Sequence, residues 1–397
     1  MRILFICHRL PFPPARGGKI RPFNMIRHLS RSHSVVVASL AESEDELRAG
    51  EPLKGHCETV LADVLPLPRR RLQAVTALAG PTPSSVAYFR SARLADAVAS
   101  AAATKAFDLV FVHCAFVAQY ALDVPADTRV LDFGDIDSGK WFDYARRRPF
   151  PLSLGYGREA ARLRRYEAEV ARQFDHCSVS TQGELAEYTQ LGVSVPCAVM
   201  PNGVDTSYFS PGAPPPAGSQ TIVFLGRMDY FPNVDGILDF AKRIWPRVRA
   251  SVPGATLRVI GSNPTRSVRA LAELPGVSVT GAVPDVRPHL ADAAVAVAPL
   301  RVARGVQNKV LETMAMGIPT VVSREAAKGV LAVDGEHFLI GDGPDEFADR
   351  VIALLRDSTS RRRLAEAGRR RIENAHTWSN TMSLLDDMLE AARKKSE

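Results

Sequence analysis

Residues 299–319 read PLRVARGVQNKVLETMAMGIP and predict a loop that leads into a helix. The apolar run at 293–298, which comes directly before them, has the composition of a parallel strand buried on both faces. Between 307 and 316 the apolar residues recur at helical spacing, and Gly317 provides a stop signal. A second short apolar run follows at 320–323. The order strand, loop, helix, strand is typical of an α/β fold.

Lys309 and Glu312 lie three residues apart on this helix and therefore share one of its faces. One interpretation is a surface ion pair, but lysine before glutamate is the poorer order and a cation in the first turn opposes the helix dipole. The other interpretation is a ligand role. An anion at the helix N-terminus would favour a lysine there, and Gly305 would let it approach the backbone. We favour the ligand role.

Strand and helix patterns alternate on both sides of a segment at 210–219 that is rich in proline, glycine and serine. The alternation predicts parallel sheets with helices on both faces, and the segment is typical of a linker. At 397 residues the chain is long enough for two cores. We therefore predict a first domain at 1–209, a second domain at 220–375 and a C-terminal helix at 376–397.

The composition, with 46% hydrophobic and 23% charged residues, is that of an ordinary globular protein. The formal net charge of +7 comes largely from short arginine runs spread along the chain. Such a balance suits anionic ligands or an anionic membrane surface. The sequence contains no recognisable nucleic-acid-binding motif, so we expect no nucleic acid partner.

The five cysteines are odd in number, widely spaced and without a C-x-x-C pair, which predicts free thiols in a reducing cytosol. The N-terminal apolar run is too short for a signal peptide, and no apolar stretch reaches the roughly 20 residues of a membrane-spanning helix. We expect a cytoplasmic protein, with peripheral contact at the inner face of the cytoplasmic membrane as an alternative.

Residues 65–79, LPLPRRRLQAVTALA, place three arginines at the start of a predicted helix with apolar residues beyond them. One interpretation is a helix packed on the sheet with a solvated basic end. The other is a basic amphipathic patch that contacts a membrane or a lipid-linked acceptor. The short apolar face favours the first interpretation.

Two groups of residues follow predicted strands of the first half. Gly17 and Gly18 come after the strand at 2–7, where they form either a tight turn or a site of close ligand approach. His113 ends a further strand, and a single histidine there is more often structural. Such strand ends are where open α/β sheets place ligands.

Asp132, Asp135 and Asp137 cluster at the end of another predicted strand. Three closely spaced carboxylates occur in ordinary loops and helix caps, and they are also ligands for a divalent cation. Elsewhere the sequence has no strong metal-ligand spacing, so we expect neither a metal ion nor another cofactor.

The chain resembles GT-B glycosyltransferases of the retaining family 4 type, also called glycosyl transferases group 1. The motifs that carry the resemblance, in chain order, are Gly17-Gly18, PNGVD at 201–205, FLGRMD at 224–229, GVQNKVLETMAMGIPTV at 305–321 and VDGEHFLI at 333–340. The segments PNVDG, DFGDIDSGKW and ARGVQNKVLE look most similar to sugar transferases of bacterial exopolysaccharide and exosortase (PEP-CTERM) systems.

The resemblance implies two Rossmann-like domains that face a cleft, with the C-terminal helix crossing back to the first. The donor, a nucleotide-diphosphate sugar, is a substrate and would bind mainly to the second domain; a saccharide or lipid-linked acceptor would bind to the first. Glu312 would accept hydrogen bonds from the ribose, and Arg227 would pair with the diphosphate. The residues predicted for donor binding are Gly17, Gly18, Arg227, Asn233, Arg304, Gly305, Val306, Gln307, Asn308, Lys309 and Glu312.

Two positions depart from the family pattern. The family often has a glutamate eight residues before the ribose-binding one, where this chain has Arg304, a residue suited to phosphate or an anionic sugar. The family also tends to have a lysine shortly after the phosphate-binding arginine, where this chain has Pro232 and Asn233. We predict that Lys309 supplies the missing positive charge.

In such enzymes the leaving diphosphate is generally thought to assist front-face attack, so no protein nucleophile is required. We predict Asp135, Asp137, Arg227 and Lys309 as catalytic residues and His113, Asp135 and Trp141 as acceptor-side candidates. Many relatives have a histidine before the acidic residue where this chain has Gly134. The alternatives are a transferase for a small acceptor, an enzyme that isomerises or hydrolyses a nucleotide-sugar, and a binder without catalysis.

Overall fold

A computed structural model of the chain describes residues 1–14, 17–213, 216 and 218–396. The chain forms two compact units. The first contains Met1–Pro201 together with the residues from Met382 onward, and the second contains Asn202–Thr381. The described part of 210–219 thus lies in the second unit, and the domain boundaries inferred from the sequence remain a prediction.

The first unit is built on a seven-stranded sheet in which every neighbouring pair of strands is parallel. The strand order is β3-β2-β1-β4-β5-β6-β7. The interior strands β1 and β4 are each buried throughout their last five residues, as expected for a sheet covered on both faces. The strands are β1 (Arg2–Cys7), β2 (Ser34–Ala41), β3 (Thr59–Val64), β4 (Phe107–His113), β5 (Ala126–Gly134), β6 (His176–Val179) and β7 (Cys197–Val199).

Among the described residues of the first unit, eight helices connect these strands. They are α1 (Gly17–Leu29), α2 (Glu44–Ala49), α3 (Leu67–Thr76), α4 (Ser84–Ala87), α5 (Ala92–Thr104), α6 (Asp137–Arg147), α7 (Leu152–Ala171) and α8 (Gln182–Thr189). Short 3-10 turns occur at Glu51–His56, Ala77–Ala79 and Ala115–Tyr120. Among the residues that the structure describes, no helix combines the length and the apolar character needed to cross a membrane.

The second unit is built on a six-stranded parallel sheet in the order β10-β9-β8-β11-β12-β13. Its strands are β8 (Thr221–Leu225), β9 (Thr256–Ile260), β10 (Val277–Val279), β11 (Val295–Ala298), β12 (Thr320–Val322) and β13 (Leu339–Ile340). The two parallel sheets with their helices confirm the predicted α/β fold class.

The helices of the second unit follow its strands. They are α9 (Phe231–Asp239), α10 (Trp245–Ser251), α11 (Arg266–Arg269), α12 (Arg287–Leu290), α13 (Asn308–Ala315), α14 (Arg324–Ala327), α15 (Pro344–Arg356) and α16 (Ser358–Ala375). A π-helical turn, Phe240–Ile244, joins α9 to α10, and a 3-10 turn at Ala270–Glu273 follows α11. The last helix, α17 (Trp378–Ser396), begins in the second unit, and its residues from Met382 belong to the first.

The ends of β8 and β9 approach each other more closely than side chains would allow. The amide of Gly226 donates to the carbonyl oxygen of Ile260 at 3.0 Å. Gly261 has a φ of +149°, and a Cβ added to it would lie 1.7 Å from the carbonyl oxygen of Gly226. Only glycine fits this position, since any side chain would push the two loops apart.

Gly261→Ala should therefore destabilise the protein by roughly 2–3 kcal/mol through overpacking and backbone strain. Gly212→Ala is the matched control in the same unit, because a Cβ at Gly212 would meet no atom within 4 Å. Chemical denaturation of both variants measures the difference. Equal stability of the two variants would contradict the close approach of Gly226 and Gly261.

Candidate functional site

Both sheets reverse their strand order at one place, between β1 and β4 in the first unit and between β8 and β11 in the second. At such a point the connections leave toward opposite faces of the sheet, and a crevice opens outside the carboxyl ends of the two strands. The residues that follow these four strands are therefore the candidates for binding and catalysis.

Helix α13 follows β11 and presents its N-terminus at the reversal point of the second unit. Gln307 precedes the helix without a capping bond from its side chain, whose Nε2 instead donates to the carbonyl oxygen of Arg304 at 2.9 Å. Gly305 has a φ of +62° in the loop before it. A helix start of this kind offers backbone amides and a positive dipole end to an anion.

Lys309, in the first turn of α13, joins this helix to the loop after β8. Its Nζ donates to Oδ1 of Asn233, and Nδ2 of Asn233 donates to the carbonyl oxygen of Arg227 at 2.8 Å. The same Nζ lies 5.2 Å from the ring centre of Phe224, in cation–π range. Burial lowers the pKa of Lys309 to about 8. Lys309 and Asn233, both predicted for the donor site, are therefore in direct contact.

Glu312 is partly buried one turn further along α13. Burial raises its pKa to about 7, and the positive charge of Lys309 acts in the opposite direction. Each group is thus close to changing its protonation state at neutral pH. Perturbed pKa values in a crevice are characteristic of functional sites.

Arg227 forms an ion pair with Asp229, with Nε to Oδ1 at 3.0 Å and Nη2 to Oδ2 at 2.5 Å. Its side chain is 40% exposed, so a phosphate would have access to it in competition with Asp229. At the start of α13, Oδ1 of Asn308 accepts a hydrogen bond from Nδ2 of Asn202 at 3.1 Å. The PNGVD motif thus contacts the helix whose N-terminus carries Lys309.

In the first unit, the carboxylate of Asp132 is completely buried on β5 and accepts four hydrogen bonds. Arg21 donates from Nε to Oδ2 at 2.9 Å and from Nη2 to Oδ1 at 2.8 Å. Ser178 Oγ donates to Oδ1 at 2.8 Å, and His113 Nδ1 lies 2.7 Å from Oδ2. Burial alone would raise the pKa of Asp132, but Arg21 and His113 outweigh it and hold that pKa well below its usual range.

This network fixes the ring of His113 at the strand-order reversal. The ring of His8, just after β1, lies 5.8 Å from it, centre to centre. Gly18 borders the same place, since a Cβ added there would lie 3.5 Å from His8 Nε2. Gly17 and Gly18 form the first turn of α1 rather than a loop before it, and their role in donor binding stays a prediction.

The sequence did not single out Arg21 or His8 as site residues. A usable signal was present, because His8 and His113 stand at the ends of two strands that become neighbours. Nothing local to Arg21 indicates its partner, which lies 111 residues away along the chain.

Asp132 lies on β5, and Asp135 and Asp137 follow it, but the three carboxylates have different partners and do not surround one point. Asp135 Oδ1 accepts a hydrogen bond from Ser180 Oγ at 2.7 Å. Asp137 is the first residue of α6 and forms an ion pair with Lys140, with Nζ 3.5 Å from Oδ1. In the described part of the chain, no group of three or more His, Cys, Asp or Glu side chains is placed to hold a metal ion.

Trp141, further along α6, stacks on Tyr156 with ring centres 5.5 Å apart. The structure places it on the helical pair formed by α6 and α7. The roles assigned to this tryptophan and to Asp135 and Asp137 stay predictions.

Residues 219–357 match the family described as Glycosyl transferases group 1. The fold is similar to that of sucrose-phosphate synthase from Thermosynechococcus elongatus (17% identity, TM-score 0.75, covering 99% of this chain and 100% of the other). It is also similar to the structure of Anabaena Alr3699/HepE in complex with UDP and glucose (13% identity, TM-score 0.70, covering 98% of this chain and 100% of the other). A further similar structure is that of α,α-trehalose 6-phosphate synthase from Burkholderia multivorans (14% identity, TM-score 0.65, covering 100% of this chain and 100% of the other). No sequence among the curated proteins matches the chain.

Asp132→Asn should destabilise the protein by about 3–5 kcal/mol near neutral pH, because it leaves the buried guanidinium of Arg21 without its carboxylate. In the wild type, the contribution of Asp132 is complete above its unfolded pKa of about 4 and is lost as the pH falls toward its lower folded pKa. The difference between variant and wild type should therefore shrink on acidification. Chemical denaturation across the acid range measures it.

The control is Asp123→Asn, which changes an exposed aspartate of the same unit. It should match the wild type within about 0.5 kcal/mol at every pH. A constant difference for Asp132→Asn down to strongly acidic pH would show that Asp132 is not held as a carboxylate.

Proposed function

We propose that the protein is a glycosyltransferase that moves a sugar from a nucleotide-diphosphate sugar to an acceptor hydroxyl with retention of anomeric configuration. The observation that carries this proposal is Lys309, a partly desolvated cation in the first turn of α13, at the strand-order reversal of the second unit. The match of residues 219–357 to a glycosyltransferase family supports it.

The donor's diphosphate would lie at the N-terminus of α13, where backbone amides, the helix dipole and Lys309 all favour negative charge. Glu312, one turn further on, would accept hydrogen bonds from the ribose hydroxyls. As the nucleoside diphosphate leaves, its growing negative charge would be stabilised by these groups, which are in place before the reaction. Arg227 would add a second cation by exchanging part of its contact with Asp229 for phosphate oxygens.

The loop 304–307 would border the donor sugar. Arg304 occupies the position at which the resembling family often has a glutamate, so an anionic sugar is a substrate class to include. We propose metal independence, since Lys309 and the amides of α13 supply the charge stabilisation that a metal ion would otherwise provide.

The acceptor would bind to the first unit, close to His113, Asp135 and Trp141. The carboxylate of Asp132 fixes Nδ1 of His113, which leaves the other ring nitrogen to orient or receive a proton from an acceptor hydroxyl. Because the leaving diphosphate would assist front-face attack, no protein nucleophile is assigned. The proposed acceptor is a saccharide or a lipid-linked molecule. We also propose that the protein is cytoplasmic and acts in bacterial exopolysaccharide or glycoconjugate synthesis.

A thermal-shift screen against UDP, GDP, ADP and TDP and their common sugars tests donor binding. UDP comes first, because it is the nucleotide in the HepE structures. A ligand at a hundred times its Kd should stabilise the folded state by about 2.7 kcal/mol. Glu312→Ala should lose the response, whereas Glu273→Ala, which changes an exposed glutamate of the same unit, should keep it.

Product analysis then separates the enzymatic alternatives. Transfer to an acceptor hydroxyl with retained configuration supports the proposal, and release of nucleotide without an acceptor product identifies a hydrolase. Tight binding without turnover on any acceptor identifies a non-catalytic binder. A failure of every nucleotide to stabilise the protein would overturn the assignment of the donor site.

The pH dependence of donor affinity tests the two charges directly. Glu312 should bind the ribose as a carboxylate, so affinity should rise as the pH increases through its pKa of about 7. Lys309 should bind the diphosphate as a cation, so affinity should fall as the pH increases through its pKa of about 8. A nucleotide-sugar is the suitable probe, because its diphosphate has no ionisation in this range. Calorimetric titration measures the profile.

Two variants show which side chain causes the rise of donor affinity with pH and which causes its fall. Lys309→Met should lower affinity by about tenfold or more and remove the fall at alkaline pH, since one charge-assisted phosphate contact is lost. Glu312→Gln should remove the rise. If Lys309→Met leaves both affinity and turnover unchanged, Lys309 does not replace the family's lysine.

A further inference from the structure

Exposed large apolar side chains concentrate in two segments of the first unit, 67–78 and 150–154. In the turn between α6 and α7 and at the start of α7, Phe150 is 77% exposed and Leu154 is 65% exposed. Leu152, between them, is also exposed. Clusters of this kind on a folded protein usually mark an interaction surface.

Arginines precede the second of these segments directly. Arg146, Arg147 and Arg148 are all exposed at the end of α6. Asp143 lies 3.8 Å from Arg146, whose side chain nevertheless remains 80% exposed. The turn therefore places three positive charges beside three apolar side chains.

Helix α3 and the 3-10 turn Ala77–Ala79 that follows it repeat this combination. Leu72, Val75 and Leu78 follow one another at a spacing of three and are each at least half exposed. Arg69 and Arg71 are exposed at the start of the same helix. An apolar stripe next to basic residues is the pattern of a helix that lies in a membrane interface.

Arg70, between the two exposed arginines, shows how α3 is held. Its guanidinium is completely buried, with Nε donating to the carbonyl oxygen of Leu65 at 2.7 Å and Nη2 to that of Ala41 at 2.9 Å. The buried arginine fixes the rotation of the helix about its axis. Its neighbours in sequence consequently point outward, so the exposed stripe is a property of the folded unit.

Helix α7 connects the two segments. Arg162, in the middle of α7, donates to the carbonyl oxygens of Ala77 and Leu78 at 3.3 and 3.1 Å. The segment 150–154 therefore leads into α7, and the segment 67–78 is hydrogen-bonded to the middle of α7 through Arg162. We call the exposed side chains of 67–78 and 146–154 the basic apolar surface.

We propose that the basic apolar surface docks on the face of an anionic phospholipid bilayer without crossing it. Charge complementarity decides between the occupants: arginines attract anionic headgroups, whereas the same surface on a second copy of this chain would bring like charges together. The apolar side chains of both segments would enter the interface, and the arginines beside them would contact the anionic headgroups. The inference rests on these side chains alone and is independent of the transferase activity.

Co-sedimentation of the full chain with vesicles tests the proposal. The protein should bind vesicles of phosphatidylcholine and phosphatidylglycerol but not vesicles of phosphatidylcholine alone, and added salt should weaken the binding. The triple variant Phe150→Ser, Leu152→Ser, Leu154→Ser should lower the affinity by about tenfold or more, since each apolar side chain removed from the interface weakens binding. Neutralising Arg146, Arg147 and Arg148 to glutamine should also lower the affinity, by about fivefold per charge at most.

Two control variants match these changes in kind but lie in the second unit. Leu331→Ser with Val333→Ser removes exposed apolar side chains, and Arg362→Gln with Arg363→Gln removes exposed charges. Both should bind vesicles like the wild type. Equal binding to neutral vesicles, equal loss in the controls, or self-association through the same surface in place of vesicle binding would each overturn the proposal.

Discussion

The parallel direction of every strand is the constraint on which this molecule depends. In a parallel sheet all carboxyl ends lie at one edge, and a crevice opens there at the place where the strand order reverses. In the first unit, His8, His113 and the network of Asp132 border this crevice. In the second unit, Gly226, Asn233 and the start of α13 border the corresponding crevice. Residues far apart in sequence become one site because the strands before them are neighbours.

The two units treat charge in opposite ways. In the first, Arg21, His113 and Ser178 all bond to the carboxylate of Asp132, so the buried charge is paired and these side chains are held in place. In the second, Lys309 contacts the neutral side-chain amide of Asn233 and the ring of Phe224, and burial lowers the pKa of Lys309. A satisfied network holds side chains in place, whereas an incompletely neutralised cation retains capacity for an anion.

The sequence predicted the parts of the fold that have strong periodicity, including the helix of α13, which was expected at 307–316 and is observed at Asn308–Ala315. It did not predict β3 or α5: β3 has no fully buried residue, and α5 is mostly alanine with only Leu94 and Val98 buried. That Lys309 and Glu312 share one face of α13 followed from helical spacing, which is local, and their role in donor binding stays a prediction. The pairing of Arg21 with Asp132 did not follow from such spacing, because it depends on which strands become neighbours.

Lys309 violates the local rules of helix stability. A cation in the first turn opposes the helix dipole, and partial burial penalises its charged form. Asn233 satisfies one of its three N–H donors, and the ring of Phe224 accepts a weak interaction, but neither provides a negative charge. Glu312 on the same face is itself partly neutral near pH 7 because burial raises its pKa. Such an arrangement lowers the stability of the empty protein and gains it back only when an anion arrives, which is the expected signature of a binding site rather than of a structural ion pair.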